Sequence, residues 1–287
     1  MPATFTATER RQRDKAVQAH SGRTGIIWLG TPDGREGWTQ FFVRHGFPAY
    51  VVEPPGIGRA GFPADQYNRV MAGLDDPTSQ PKLERGDSSE WELFWTGPAP
   101  QQLGDGTFYG NQMPTDDESY RHWLAVGSLP IGPTGASGNE PANVHALIAV
   151  LERTGPAIYI GWSGGGRLGQ ETIEVRPDLF KAFIAIEASS SCREPLVEQR
   201  IANMVEYDIP FVNINGGAQA ARDPGLCKNL ADAIVAAGGK AEVVELPDVG
   251  IFGNSHMMMA EKNSDEIAQF IVAWIDDSVG ARRSKPM

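Results

Sequence analysis

Residues 157–165 read AIYIGWSGG, an apolar run that leads into a G-x-S-x-G pentapeptide centred on Ser163. The run predicts a buried strand and the residues from 164 onward predict a helix, so the pentapeptide lies on a sharp strand-to-helix turn. Glycines flank the serine there because a Cβ would collide with neighbouring backbone, while the hydroxyl projects into open space. We interpret Ser163 as a nucleophile. The alternative is a glycine-rich turn with an incidental serine.

The chain on both sides of this turn alternates between strand and helix patterns. Helices are predicted at 35–46, 141–153, 164–176 and 225–237, with a last one from 263 or 264. Buried strands are predicted at 24–30, 48–53, 157–160, 181–187, 209–214 and 241–246. This alternation is typical of an α/β fold with a mostly parallel, doubly wound sheet.

Residues 61–140 break the alternation, because Gly, Pro, Asp and aromatic residues replace it. We predict a polar N-terminal arm at 1–23, a core made of 24–60 and 141–287, and an inserted irregular or helical cap at 61–140. The cap residues Trp91, Trp95 and Trp123 are expected to form an apolar substrate pocket together with Trp162. Packing in the core explains the same aromatic residues nearly as well.

Composition excludes several classes of protein. The 287 residues carry a net charge of −11, which argues against nucleic-acid and anionic-membrane partners and leaves a small-molecule substrate, with a homodimer also open. No Cys/His cluster has metal-ligand spacing, and no cofactor or metal is predicted. The sequence leaves open whether Cys192 and Cys227 are bonded. Without an apolar leader or an apolar run of about 20 residues, we expect a cytoplasmic protein, or a periplasmic or secreted one if a leader has been removed.

A nucleophile on such a turn needs a histidine and an acid later in the chain. Among five histidines, only His256 lies between the last strand and the last helix, where a loop reaches the strand ends. For the acid, the usual position after strand 209–214 holds Gln219, and Asp223 is four residues further on. Glu187 instead closes an apolar strand, so we favour it, with a buried structural ion pair as the alternative.

The residues now assembled resemble the α/β-hydrolases, and more narrowly a small group of bacterial esterases. The resemblance rests on TPDGREGW at 31–38, the turn at 53–59, Ser163, Glu187 and GNSHMMM at 253–259. It implies a Ser-Glu-His triad in which Ser163, Glu187 and His256 take these roles and the Glu follows the sixth strand.

One feature of that group is missing. Its members have two adjacent cysteines, contributing to the oxyanion hole, in a loop after the first buried strand, and this chain has no cysteine there. The resemblance therefore implies the fold of that group for this chain, but not its substrate range. We predict that the Gly164 N–H stabilises the oxyanion together with an N–H of Gly30 or Thr31.

These residues predict a serine hydrolase that cleaves a carboxylic ester through an acyl-enzyme intermediate. Hydrolysis of a lactone, an amide or a carbon–carbon bond with the same triad is the alternative among enzymes. A hydrolase-fold receptor that binds a small molecule and turns it over weakly is the alternative from another class.

Overall fold

The computed structural model describes residues 13–20, 24–61, 64–79, 112–114, 116–126, 141–188, 192 and 195–280. Six strands form one sheet in the order β2-β1-β3-β4-β5-β6, and every pair of neighbours is parallel. The strands are β1 (Lys15–Ala19), β2 (Ala49–Val52), β3 (Ala157–Trp162), β4 (Phe180–Ile186), β5 (Phe211–Asn215) and β6 (Ala241–Glu245).

Helices connect the strands and cover both faces of the sheet. They are α1 (Ile26–Leu29), α2 (Trp38–Arg44), α3 (Asp65–Met71), α4 (Asp117–Ala125), α5 (Pro141–Thr154), α6 (Gly164–Val175), α7 (Glu198–Glu206), α8 (Gly217–Arg222), α9 (Lys228–Ala236) and α10 (Ser264–Gly280). The predicted α/β sheet is confirmed, and the patterns at 35–46, 141–153, 164–176 and 225–237 correspond to α2, α5, α6 and α9.

Two hydrophobic clusters lie on opposite faces of the sheet, as alternating side chains of its strands require. Ile158 and Ile184 point into a cluster that also holds residues of α2 and α10. Tyr159 and Phe183 point into the other, which holds residues of α5, α6, α7 and α9. Both faces are therefore buried, which accounts for the continuous apolar runs of the central strands.

The prediction of a polar arm at 1–23 is wrong for its last part. Residues 15–19 form β1, which lies inside the sheet between β2 and β3. The strand was missed because it is short and carries polar residues at Lys15 and Gln18. Gln18 is fully buried, and its side-chain carbonyl accepts a hydrogen bond of 2.5 Å from the Thr39 hydroxyl, which satisfies this oxygen inside the core.

The predicted strand at 24–30 is also wrong, because residues 26–29 form the short helix α1. An apolar run of this length does not distinguish a strand from a buried helical turn. In addition, α7 occupies part of the segment between 187 and 209 for which no element was predicted. Its amphipathic pattern is the signal that could have identified it.

Only parts of the predicted cap lie within the described residues, namely 61, 64–79, 112–114 and 116–126. They contain α3 and α4, and Asp116 caps α4 by accepting a hydrogen bond from the Ser119 N–H. Gln112 bonds through its N–H to the Gly253 carbonyl at 3.0 Å and through its carbonyl to the Lys262 N–H at 2.9 Å. This part of the insertion thus lies against the loop that carries His256, while the cap as a domain stays a prediction.

A disulfide joins Cys192 to Cys227, whose Cα atoms are 4.8 Å apart. It connects the segment that follows Glu187 to the beginning of α9. Among the described helices, none is long and apolar enough to cross a membrane. Within the same residues, His, Cys, Asp and Glu side chains form no group of three or more that could hold a metal ion.

Candidate active site

Ser163 lies on the turn between β3 and α6 in a strained conformation, with φ 53° and ψ −122°. A non-glycine residue adopts this region only where its surroundings enforce it. A Cβ on Gly161 would lie 2.5 Å from the Gly165 carbonyl oxygen, and one on Gly165 would lie 2.5 Å from the Ala19 carbonyl oxygen. Close backbone packing therefore holds the serine in place, as the pentapeptide predicts.

Glu187 occupies the corresponding corner at the end of the neighbouring strand β4. It is fully buried and also has a left-handed conformation, with φ 51°. The two corners are linked, because the Ser163 N–H donates to the Ile186 carbonyl at 2.9 Å, and the Glu187 N–H donates to the Ile214 carbonyl at 3.0 Å. Two successive parallel strands thus end in non-glycine residues with positive φ, a rare feature that is concentrated at functional sites.

The Glu187 carboxylate contacts the imidazole of His256. The distance from Glu187 Oε2 to His256 Nδ1 is 3.2 Å, and Oε1 accepts a hydrogen bond from the Gly216 N–H. Burial raises the pKa of the Glu187 carboxyl, and the hydrogen bonds from His256 and Gly216 act in the opposite direction. A carboxylate bonded at Nδ1 fixes the tautomer in which Nε2 carries no proton and can accept one.

His256 is also bonded to the residue next to the serine. The Trp162 indole N–H donates to the His256 carbonyl at 2.7 Å, and the two rings lie 5.1 Å apart. His256 is 6% exposed, so its loop is packed into the protein. The structure therefore brings two of the three predicted triad members, Glu187 and His256, into direct contact. The Trp162 side chain links His256 to the residue before Ser163, and Glu187 follows the Ile186 carbonyl that accepts the Ser163 N–H.

Comparisons with known proteins show what the chain is similar to. No family model matches the chain. A bacterial esterase whose structure has been solved superposes with a TM-score of 0.79 and 25% sequence identity, covering 94% of this chain and 83% of that one. The chain has the α/β-hydrolase fold.

A sequence comparison also found a relative of this chain. It is a probable secreted lipase, phiG, of a fungal species (strain ATCC 74256), 28% identical over 309 residues that span 90% of this chain and 80% of the lipase. The placement of the acid after the sixth strand of the group's sheet stays a prediction, because the described sheet has six strands and Glu187 follows the fourth.

The structure argues against Gly30 and Thr31 as the second oxyanion donor. The Gly30 N–H already donates to the Ile26 carbonyl at 3.2 Å, and the Thr31 N–H donates to the Arg35 carbonyl at 3.1 Å. Both amides thus stabilise their own turn. The error followed from taking 24–30 as the first buried strand. The Gly164 N–H, which follows the serine in the chain, stays a predicted donor.

The backbone that adjoins the serine comes from the end of β1. A Cβ on Gly165 would lie 3.0 Å from the backbone nitrogen of His20, the residue that follows β1. The His20 side chain is buried beside Glu53, with 3.2 Å from Nε2 to Oε2, and Glu53 also accepts a hydrogen bond of 3.0 Å from the Gly25 N–H. Residues 21–23, which complete this segment, lie outside the described residues.

The predicted pocket aromatics divide into two groups. Trp91 and Trp95 lie outside the described residues. Trp123 and Trp162 have no exposed surface and pack in the same hydrophobic cluster, so they belong to the core. For these two residues the substrate-binding prediction is corrected in favour of packing.

Sequence reasoning missed Glu261, a second buried carboxylate in the histidine loop. It is fully buried, and its Oε1 accepts a hydrogen bond of 2.7 Å from the Ser255 N–H. The signal that identified Glu187, a carboxylate closing an apolar run, is present here too, because Glu261 follows Met257, Met258, Met259 and Ala260.

Proposed function

We propose that the protein is a serine hydrolase that cleaves carboxylic esters through an acyl-enzyme intermediate. The observation that carries the proposal is the strained Ser163 turn beside a buried Glu187–His256 pair at the next strand end. A nucleophile, a base and a residue that orients the base are the parts that acyl transfer requires. The esterase and lipase named above support ester chemistry over other acyl transfers.

In the first half of the reaction, His256 Nε2 removes the proton from the Ser163 hydroxyl as the oxygen attacks the ester carbonyl. The carbonyl oxygen becomes an oxyanion, which the Gly164 N–H at the beginning of α6 stabilises, helped by the positive end of the helix dipole. When the tetrahedral intermediate collapses, the imidazolium returns its proton to the leaving alcohol, and the acyl group stays on Ser163.

In the second half, a water molecule takes the place of the alcohol. His256 accepts a proton from this water, which attacks the acyl carbonyl, and the proton then passes to the Ser163 oxygen as the carboxylic acid leaves. Throughout, the Glu187 carboxylate holds the proton-bearing Nδ1 and stabilises the imidazolium without taking the proton itself.

A fluorophosphonate probe tests the nucleophile directly, and a panel of p-nitrophenyl esters of short and long acyl chains tests the reaction. We expect labelling of Ser163 and turnover of at least one ester, both abolished in Ser163→Ala with the fold retained. Labelling without ester turnover would favour the lactone, amide or carbon–carbon alternatives. Absence of labelling in folded protein would contradict the proposal and favour a binding protein.

We infer that the protein works in an oxidising compartment or outside the cell. The Cys192–Cys227 disulfide supports this, because such bonds are rare in reducing cytosol. Mass spectrometry after iodoacetamide treatment tests the bond in protein isolated without reductant. We expect no alkylation before reduction and two modified cysteines after it, whereas alkylation of the unreduced protein would contradict the inference.

A further inference from the structure

The loop that carries His256 is organised around the second buried carboxylate, Glu261. Its Oε1 accepts the Ser255 N–H at 2.7 Å and its Oε2 accepts the Asn254 side-chain amide at 2.6 Å. Both donors belong to the two residues that directly precede His256. The backbone that leads into the imidazole is thus fixed by one side chain, five residues further along the chain.

The remaining contacts of this loop extend the same network. The Asn254 carbonyl accepts a hydrogen bond of 3.1 Å from the Ala218 N–H of α8, and its side chain exchanges hydrogen bonds with Asn263. The Ser255 hydroxyl accepts the Met257 N–H at 3.1 Å. The residues on both sides of His256 are therefore held by polar contacts that begin at Glu261.

Burial and neighbouring charged groups shift the pKa of the Glu261 carboxyl. Glu187 and His256 lie on the side of the triad, and electrostatic repulsion from Glu187 disfavours a second negative charge. On the other side, the Arg35 guanidinium donates to the Glu261 backbone carbonyl at 2.9 Å and pairs with Asp33. Burial raises the pKa of the Glu261 carboxyl to about 7, although the bonds from Ser255 and Asn254 favour its charged form.

We propose that Glu261 is a positioning residue. Its ionised carboxylate holds the loop that presents His256 to Ser163, and protonation of this carboxylate loosens the loop. The proposal rests on the proposed function, because it assigns Glu261 a part in that reaction. Burying a carboxylate is costly unless hydrogen bonds replace the hydration that it loses. Here those bonds converge on the approach to the base.

The variant Glu261→Gln removes the charge and keeps the shape. Its Oε1 can still accept from Ser255, but its Nε2 then faces the Asn254 amide, donor against donor. We expect kcat to fall about thirtyfold at pH 8 while KM changes less than about threefold, as the loss of an orienting contact predicts. The double variant Asn254→Asp/Glu261→Gln exchanges donor and acceptor, and we expect it to regain most of the lost kcat.

Glu245 provides a matched control. Like Glu261, its carboxylate accepts hydrogen bonds from a backbone N–H, that of Gly225 at 2.8 Å, and from an asparagine amide, that of Asn215 at 3.1 Å. It lies at the end of β6, outside the histidine loop. We expect Glu245→Gln to keep kcat within about threefold of the wild-type value.

The pH profile separates positioning from a merely structural role. If His256 and Glu261 must both lose a proton, log kcat/KM of the wild type rises on its acid limb with a slope above 1, and Glu261→Gln shows a slope lower by about one proton. A wild-type slope of 1, or equal slopes in both proteins, would overturn the proposal. A wild-type slope of 1 would overturn it even if the variant fails to fold.

A proton NMR spectrum distinguishes this proposal from the proposed function. The downfield resonance of the His256 Nδ1 proton, bonded to Glu187, needs no substrate. We expect it to be sharp in the wild type and Glu245→Gln and broadened in folded Glu261→Gln. An unchanged resonance in folded Glu261→Gln overturns the positioning role. A wild type that neither labels with fluorophosphonate nor hydrolyses esters overturns the proposed function alone.

Discussion

The serine turn and the histidine loop meet at one site, but they are held in different ways. Backbone packing fixes Ser163, because Gly161 and Gly165 leave no space for a Cβ. Hydrogen bonds to two buried carboxylates, Glu187 and Glu261, fix the loop of His256. Added side-chain volume should disturb the packing of the serine turn, whereas a change of charge should disturb the hydrogen bonds of the histidine loop. A change of pH should therefore affect the loop and not the turn.

The largest effect on kcat is expected when the negative charge of Glu187 is removed. Glu187→Gln should lower kcat by on the order of a thousandfold, because a neutral amide favours the wrong tautomer of His256. Steady-state kinetics measures the loss, and circular dichroism checks that the fold survives. Nearly normal kcat in folded Glu187→Gln would show that another acid orients the imidazole.

Added volume on the serine side should act on stability. The Cβ of Gly165→Ala would lie 2.5 Å from the Ala19 carbonyl oxygen, so β1 or α6 must shift. We expect the free energy of unfolding to fall by roughly 3 kcal/mol at every pH, measured by urea denaturation.

Gly217→Ala is the control for that substitution, since its nearest neighbour would be the Pro247 side chain at 3.6 Å, an ordinary contact. It should change the free energy of unfolding by about 1 kcal/mol or less. Equal destabilisation by both alanines would mean that close packing does not define the serine turn.

The histidine loop should make stability depend on pH. Because burial raises the pKa of Glu261 from 4.5 to about 7, the folded state keeps a proton that the unfolded chain releases between these values. The contribution of this proton to the free energy of unfolding is fully present below pH 4.5 and is lost as the pH rises through about 7. The change in the free energy of unfolding is on the order of 3 kcal/mol.

Urea denaturation of wild type and Glu261→Gln at pH 5 and pH 8 isolates this contribution, because other groups cancel in the difference. We expect the wild type to lose more stability over this interval than the variant. Parallel pH profiles would indicate that Glu261 titrates alike in the folded and unfolded chain.

The smallest effect is expected at Asp223, which lies four residues beyond the usual position of the acid, where this chain has Gln219. Asp223→Asn should lower kcat less than about tenfold, because Glu187 already contacts His256 Nδ1. A loss as large as that of Glu187→Gln would place two carboxylates in the reaction.

Local patterns predicted the parts of the molecule that depend on local sequence. The strand and helix around Ser163 follow from an apolar run and two glycines, and His256 follows from its place before the last helix. Glu187 was identified because a carboxylate that closes a buried strand needs a partner. Each of these signals lies within a few residues of the group it identifies.

The errors arose where distant partners decide the structure. Lys15–Ala19 becomes a strand because β2 and β3 pair with it, and the buried Gln18 depends on Thr39. Because residues 24–30 were taken as the first buried strand in place of β1, Gly30 and Thr31 became the predicted oxyanion donors. Glu261 closes an apolar run as Glu187 does, but its donors, Asn254 and Ser255, are brought to it by a loop whose shape no periodicity reveals.

The position of β1 in the sheet also has a consequence for biosynthesis. Lys15 is synthesised well before its partner Ala157, which lies nearly half the chain later. Contacts of such long sequence separation form slowly during folding. The serine turn packs on Ala19 and therefore cannot be completed before β3 and α6 have been made. Until then the nascent chain exposes strand edges, a state that is prone to aggregation.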